Sequence, residues 1–98
     1  MAKVIYVSHK YGGHWINKIK VQRKIIKLQK EYPEYVFLSP VHATGFLYNK
    51  MSYDDGIKLC LELLNRSDEL WILSEHSKGT LIETKHALER GIKVRYKR

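Results

Sequence analysis

The stretch KVIYVSHKYGGH, residues 3–14, decides the fold of this chain. Its first part, Lys3 to Val7, is rich in β-branched and aromatic residues and predicts a buried strand. The polar residues that follow lead into Gly12-Gly13, which predicts a glycine-containing loop. A strand that leaves through such a loop into a helix is the opening unit of an α/β fold.

The same alternation of strand and helix continues along the chain. A helix is predicted from about Trp15 to Lys30, with apolar residues over half its circumference and five cations opposite. Pro33 ends it. The later predicted elements are a strand at 35–38, a loop at 41–51, a helix that Ser52 and Asp55 begin, a strand at 69–73, a helix from Thr80 to Arg90 and a strand at 93–96.

Four strands alternating with three helices predict one α/β domain over residues 1–98, with a small doubly wound parallel sheet of flavodoxin- or Rossmann-like type in the order 2-1-3-4. Ligands bind such sheets beyond the carboxyl ends of the strands, at the switch point between the first and third strands. This topology predicts one crevice among residues 8–14, 39–44 and 74–83. Both tryptophans, Trp15 and Trp71, are predicted to pack in the core because each lies within an apolar period.

Composition sets further limits. The formal net charge of +8 attracts anions, whether nucleic acid, a membrane surface or a phosphorylated small molecule. No apolar run approaches the roughly 20 residues of a membrane span, and the start lacks a signal-peptide core, so we expect a cytoplasmic protein without membrane contact. The single cysteine, Cys60, excludes an internal disulfide, and we expect no metal or other cofactor.

Glu83 is the first candidate for chemistry. It is predicted to lie in the first turn of a helix, where the helix dipole favours an ionised carboxylate that can serve as nucleophile or base. The competing interpretation is structural, because Thr80-x-x-Glu83 also has the spacing of a capping box.

A wider pattern resembles a known family. It comprises Ser39-Pro40-x-His42, then Cys60-Leu61-Glu62-Leu63-Leu64-x-x-Ser67-Asp68-Glu69-Leu70-Trp71, then Ser77-x-Gly79-x-x-x-Glu83-x-x-x-Ala87-x-x-x-Gly91-Ile92-x-Val94. This pattern resembles the small nucleoside 2-deoxyribosyltransferase-like domains of phages and bacteria. More distantly, it is similar to nucleoside 2-deoxyribosyltransferases and deoxynucleoside 5′-monophosphate N-glycosidases.

The resemblance implies a reaction and a set of residues. Glu83 would attack the anomeric carbon of a nucleoside or nucleotide, and Tyr6 would orient it. Two positions depart from the classical transferases, because Cys60 and Ser77 stand where those enzymes have aspartates. The serine matches the monophosphate-hydrolysing branch, where it contacts the 5′-phosphate. The substrate-binding residues are then predicted to be Ser8, Gly12, Gly13, His42, Ser77, Gly79 and Thr80.

Several residues keep two interpretations. Gly12-Gly13 indicates either a phosphate-binding loop, with Lys10 and His14 supplying charge, or an ordinary turn. His42 either contacts a base or sugar or has no role. Cys60 is predicted to be a buried, inert thiol. Asp54 and Asp55 are either capping charges or replacements for the missing aspartate.

Three functions remain open at this stage: an N-glycosidic enzyme, a non-catalytic module that binds a nucleotide-derived ligand, and a nucleic-acid-associated protein. For the last, the lysine face of the first helix and the cations at 93–98 would bind phosphates weakly and without sequence preference. A homo-oligomer is expected, because the resembled enzymes often complete their sites with a neighbouring subunit. The apolar loop residues Phe46, Leu47 and Tyr48 would be covered by that subunit.

Overall fold

A computed structural model of the chain describes residues 2–97. The strands are β1 (Val4–Ser8), β2 (Val36–Leu38), β3 (Glu69–Ile72) and β4 (Lys93–Tyr96), and the α-helices are α1 (Trp15–Glu31), α2 (Pro40–Ala43), α3 (Tyr53–Asn65) and α4 (Lys78–Glu89). A 3₁₀ turn, Gly45–Leu47, follows α2. In residues 2–97 no helix combines the length and apolarity needed to cross a bilayer.

The sheet confirms the predicted topology. All strand pairs are parallel and the order is β2-β1-β3-β4. In the register, Ile5 lies beside Phe37 on one side and beside Glu69 on the other. The two central strands, β1 and β3, are therefore covered on both faces, which explains why their sequences are nearly continuous apolar runs.

Each face of the sheet has its own core. On one face, Val21 and Leu28 of α1 pack with Trp71 in a cluster completed by Ile5, Val7, Val41 and Leu73. On the other face, Leu64 of α3 and Ala87 of α4 pack with Tyr6, Leu70 and Ile72. Since residues two apart in a strand share a face, Tyr6 and Ser8 both point toward α3 and α4.

The prediction of three helices is wrong by one. A short helix, α2, begins at Pro40 and overlaps the start of the segment 41–51, which was predicted to be a loop. Ser39 is its N-cap and accepts a hydrogen bond from the His42 backbone N–H, while Pro40 occupies the first turn. This pairing of a serine cap with a proline after it is a helix-start signal, although the resulting helix is only 4 residues long.

The predicted start of α4 is also wrong, and the error matters for Glu83. The helix begins at Lys78, and the capping box joins Ser77 with Thr80 rather than Thr80 with Glu83. The Thr80 hydroxyl accepts from the Ser77 backbone N–H at 2.6 Å. Glu83 therefore lies in the second turn of α4. It is not part of the capping box, and the unpaired N–H groups of the helix belong to the first turn.

The core prediction holds for Trp71 and fails for Trp15. Trp71 is 1% exposed, whereas Trp15 is 69% exposed at the start of α1. Only the part of the apolar surface of α1 that carries Val21 and Leu28 packs against the sheet. Ile19 and Ile26 are exposed like Trp15, because a single helix against a small sheet has no second layer to cover its outer flank.

Candidate functional site

A cavity of about 540 Å³ opens at the carboxyl ends of β1 and β3, where the topology predicts a ligand crevice. Its walls come from the loop after β1, from the segment between α2 and α3, from α3 itself and from the start of α4. The volume is within the usual range for small-molecule sites, roughly 300–1,000 Å³.

Glu83 forms the floor of this cavity. Its side chain is 5% exposed, and both carboxylate oxygens are hydrogen-bonded by hydroxyls from β1. Tyr6 donates its hydroxyl to Oε2, and the Ser8 hydroxyl donates to Oε1 at 2.8 Å. The two donors lie two residues apart on one face of a strand, so a single rigid element fixes the carboxylate at both ends.

Burial dominates the electrostatics of this carboxyl group. Loss of solvent raises the pKa of Glu83 to about 7, while the hydrogen bonds from Tyr6 and Ser8 act in the opposite direction. Near neutral pH the group therefore exchanges between its charged and neutral forms. Burial, together with the nearby Glu83 charge, raises the pKa of Tyr6 well above its usual value, so Tyr6 remains a hydrogen-bond donor.

The structure divides the predicted substrate-binding residues. Gly12, Ser77, Gly79 and Thr80 line the cavity together with Glu83. The other three predicted residues, Ser8, Gly13 and His42, are not among its lining residues.

Ser8 and His42 have other partners. Ser8 lies behind Glu83 and is 1% exposed, so it supports the carboxylate instead of meeting a ligand. His42 is exposed on α2, where its Nδ1 lies 2.8 Å from the Ser39 hydroxyl.

Gly13 shapes the loop from outside the cavity. Its φ of +76° lies in the left-handed region, and a Cβ there would meet the Tyr48 ring at 2.9 Å. Gly12 has a φ of +59°, but its nearest neighbour would be at 3.5 Å. The pair of glycines is needed for the backbone path, and Gly13 also for the close approach of Tyr48.

Replacement of Gly13 by alanine is expected to destabilise the protein by about 2 kcal/mol, because left-handed strain of about 1 kcal/mol adds to the displacement of Tyr48. Gly12→Ala is the matched control and should cost only the strain, about 1 kcal/mol. Urea unfolding measures both variants. Equal losses for the two would show that the contact with Tyr48 is unimportant.

The basic residues predicted to attract anions are arranged unevenly. Lys10 and His14 line the cavity, but the Lys10 ammonium is 3.1 Å from Glu75, which partly neutralises it. Lys78 lies over the Tyr53 ring, 4.9 Å from its centroid. The described basic residues that line the cavity, His9, Lys10 and His14, all come from the segment after β1.

Sequence reasoning missed the aromatic side chains of the cavity wall. Tyr11 and Tyr48 meet edge to face at a centroid distance of 5.3 Å, and both line the cavity with Tyr53. Tyr48, which was predicted to contact another subunit, lines the cavity and is 41% exposed. Tyr11 and Tyr48 lie far apart in the sequence, in two different loops. No local sequence pattern therefore indicates that they meet.

The remaining candidates have simpler surroundings. Cys60 is only half-buried, not buried as predicted, and it lines the cavity. Burial first, and then the charge of Glu83, raise the pKa of its thiol, which keeps it protonated. Asp54 and Asp55 are exposed in the first turn of α3, where Asp55 donates its backbone N–H to the Ser52 hydroxyl, and neither lines the cavity.

Within residues 2–97, no group of three or more His, Cys, Asp or Glu side chains can hold a metal ion. Glu83 is also the only acidic residue among the described ones that line the cavity.

The chain belongs to a protein family described as a domain of unknown function (DUF7768), which matches residues 3–97. No curated protein matches the chain. Membership of this family carries no assigned activity, so the chemistry of the cavity is what bears on function.

Proposed function

We propose that this member of the family cleaves or exchanges the N-glycosidic bond of a nucleoside or nucleoside 5′-monophosphate, with Glu83 as the nucleophile. The observation that carries the proposal is the buried Glu83 carboxylate, which accepts hydrogen bonds from two hydroxyls at the floor of a cavity large enough for a nucleotide. The resemblance of the sequence to nucleoside 2-deoxyribosyltransferase-like domains supports the same chemistry.

The proposed reaction has two displacements. A Glu83 oxygen forms a bond to C1′ of the sugar while the bond from C1′ to the base nitrogen breaks, and the base leaves with the electron pair. The departing base takes its proton from a water molecule, which leaves hydroxide. Water in hydrolysis, or a second base in exchange, then attacks C1′ and loses a proton to that hydroxide. The bond from C1′ to the Glu83 oxygen breaks in this step, and Glu83 returns as a carboxylate.

Tyr6 and Ser8 act on Glu83 and not on the substrate. Their hydroxyls hold the carboxylate plane in one orientation and favour its charged form, which is the form that attacks. The cavity in front of Glu83 supplies the sugar and base sites, with aromatic surface from Tyr48 and Tyr53 and backbone N–H groups near Gly12 for a phosphate.

Loss of either hydroxyl should slow base release without abolishing it. Tyr6→Phe and Ser8→Ala each remove one of the two hydrogen bonds, and we expect kcat to fall by roughly 10- to 100-fold in each, with KM little changed, because neither side chain lines the cavity. Thr84→Val is a control that removes a hydroxyl of α4 bonded only to the Thr80 carbonyl. A change in KM alone would place Tyr6 or Ser8 in substrate binding.

The experiment that tests the function is incubation with a panel of nucleosides and nucleoside 5′-monophosphates, with free base followed by chromatography. Release of base from at least one substrate is expected. A preference for monophosphates that shrinks as salt rises would support a phosphate site near Gly12. If no member of the panel releases base, the enzyme proposal is wrong.

A second candidate function is a binding module for a nucleotide-derived ligand. The observation that favours it is the absence of a second carboxylate among the described lining residues, with Cys60 and Ser77 at positions where the resembled transferases have aspartates. Calorimetric binding of a nucleotide without any base release would identify this function.

We also propose that copies of the chain associate. Phe46 is 76% exposed and Tyr48 41%, and Trp15 and Ile16 are exposed at the start of α1. Neighbouring exposed apolar side chains, such as Trp15 and Ile16, form patches that are unusual on a monomer. Light scattering should show a dimer or larger assembly, and a monomer at high concentration would contradict this.

A further inference from the structure

A second concave surface lies on the opposite face of the sheet from α3 and α4. It is a groove of about 400 Å³ between α1 and the end of β4, lined by Lys24, Lys27, Leu28, Glu31 and Lys97. Three of its five lining residues are lysines. Folding has therefore brought cations from two distant parts of the chain to the two sides of one groove.

The α1 side of the groove carries a row of positive charge. Lys20, Lys24 and Lys27 follow the i, i+4, i+7 spacing of one helix face, a row about 10 Å long in which Lys24 and Lys27 line the groove and Lys20 extends the row past it. Lys24 is held in place, since its ammonium donates to the Leu73 carbonyl at 2.5 Å. The pKa of Lys24 is lowered, first by burial and then by the positive charges of Lys20 and Lys10.

The β4 side of the groove carries Lys97. The Lys97 ammonium lies 5.2 Å from the centroid of the Trp71 ring and 3.3 Å from the Tyr32 hydroxyl, which is a neutral partner. Arg95, two residues earlier on the same strand face, pairs with Glu69 at 3.2 Å. Glu69 also binds Lys3, so this buried carboxylate is already neutralised and does not offset the groove lysines.

We propose that this groove binds a single strand of nucleic acid through its phosphates. A strand presents a negative charge at every nucleotide, and a row of lysines beside Lys97 matches that linear pattern. Lys24 and Lys97 are only partly exposed between α1 and the sheet, so a flexible strand reaches them, whereas a rigid duplex meets only the exposed Lys20 and Lys27 of the row.

The positions of the apolar residues of α1 favour nucleic acid over a membrane surface. Trp15, Ile19 and Ile26 are exposed, and at 100° per residue they lie about 80–180° around the helix from the groove lysines Lys24 and Lys27. A membrane surface would bind the exposed apolar side chains themselves, whereas the described residues that line the groove include only one apolar side chain, the buried Leu28. The inference does not rest on the chemistry of Glu83.

The test is fluorescence anisotropy of labelled oligo(dT) over a series of salt concentrations. The groove variant Lys27→Gln/Lys97→Gln is compared with Lys58→Gln/Lys85→Gln, whose residues are exposed on α3 and α4. Both pairs lower the net charge by two. The groove pair should weaken binding roughly tenfold and flatten the slope of log K against log salt by about 1.4, while the control pair changes little.

Three results would overturn the inference. One is no binding of oligo(dT) by the wild-type protein at low salt. Another is an equal loss in both double variants, which would show that net charge alone attracts the strand. The third is equally tight, groove-dependent binding of polyglutamate or of phosphatidylserine vesicles. Glu83→Gln should bind oligo(dT) like the wild type, which separates this test from that of the proposed enzyme.

Discussion

Glu83→Gln is expected to lower the rate of base release by at least about a thousandfold, the largest effect of any single substitution in this protein. The amide keeps the size of the side chain and its carbonyl oxygen can still accept a hydrogen bond from a β1 hydroxyl. It has no negative charge with which to stabilise an oxocarbenium-like sugar or to form an ester with C1′. Chromatography of free base under single-turnover conditions measures the loss.

The control for this variant is its stability, because a misfolded protein would also be inactive. Burial raises the pKa of Glu83 from 4.5 to about 7, so the folded state holds a proton that the unfolded state loses over this range. The contribution of Glu83 to folding therefore declines as pH rises from 4.5 toward 7. A neutral glutamine avoids that decline, and at pH 8 the variant should unfold at the same temperature as the wild type or higher.

One result would contradict the nucleophile role, and another would leave the pH profile as the test of it. Base release at the wild-type rate by a folded Glu83→Gln protein would make the carboxylate a structural group. A variant that is inactive but also unfolded at pH 8 would show that Glu83 supports the fold through Tyr6 and Ser8, and the kinetic loss would then carry no information on mechanism.

The second large effect is on the pH dependence of the wild-type enzyme. Attack requires the ionised carboxylate, and the pKa of Glu83 is about 7, so kcat/KM should rise about tenfold per pH unit below 7 and level off above it. Between pH 5 and pH 8 the increase is about a hundredfold. A nucleoside substrate is preferable to a monophosphate, because a phosphate also titrates near pH 6.

Ser8→Ala provides the matched comparison for this profile. The Ser8 hydrogen bond lowers the pKa of Glu83, so its removal should move the midpoint of the profile to higher pH. Thr84→Val, which leaves Glu83 untouched, should keep the wild-type midpoint. A rate that falls with rising pH would instead assign Glu83 the role of a general acid and would overturn the nucleophilic mechanism.

The wrong predictions for Trp15 and for the start of α4 each have a physical cause. Trp15 follows the same 3.6-residue period as Val21 and Leu28, but periodicity gives only the apolar side of a helix and not how much of it the sheet reaches. The start of α4 was misplaced because Ser77 and Thr80 are both good N-cap residues, and their mutual hydrogen bonds decided between them.

The amino-acid sequence by itself determined the strand order and the position of the cavity. Apolar runs short enough for strands, separated by helical periods, permit few topologies, and parallel sheets place ligands at one edge. Only the tertiary structure decided what surrounds each side chain. Tyr6 and Ser8 lie 77 and 75 positions from Glu83 in the sequence, and they meet it because β1 and α4 pack together. The lysines of α1 likewise meet Lys97 across a groove, since contacts between distant segments depend on packing that no local pattern encodes.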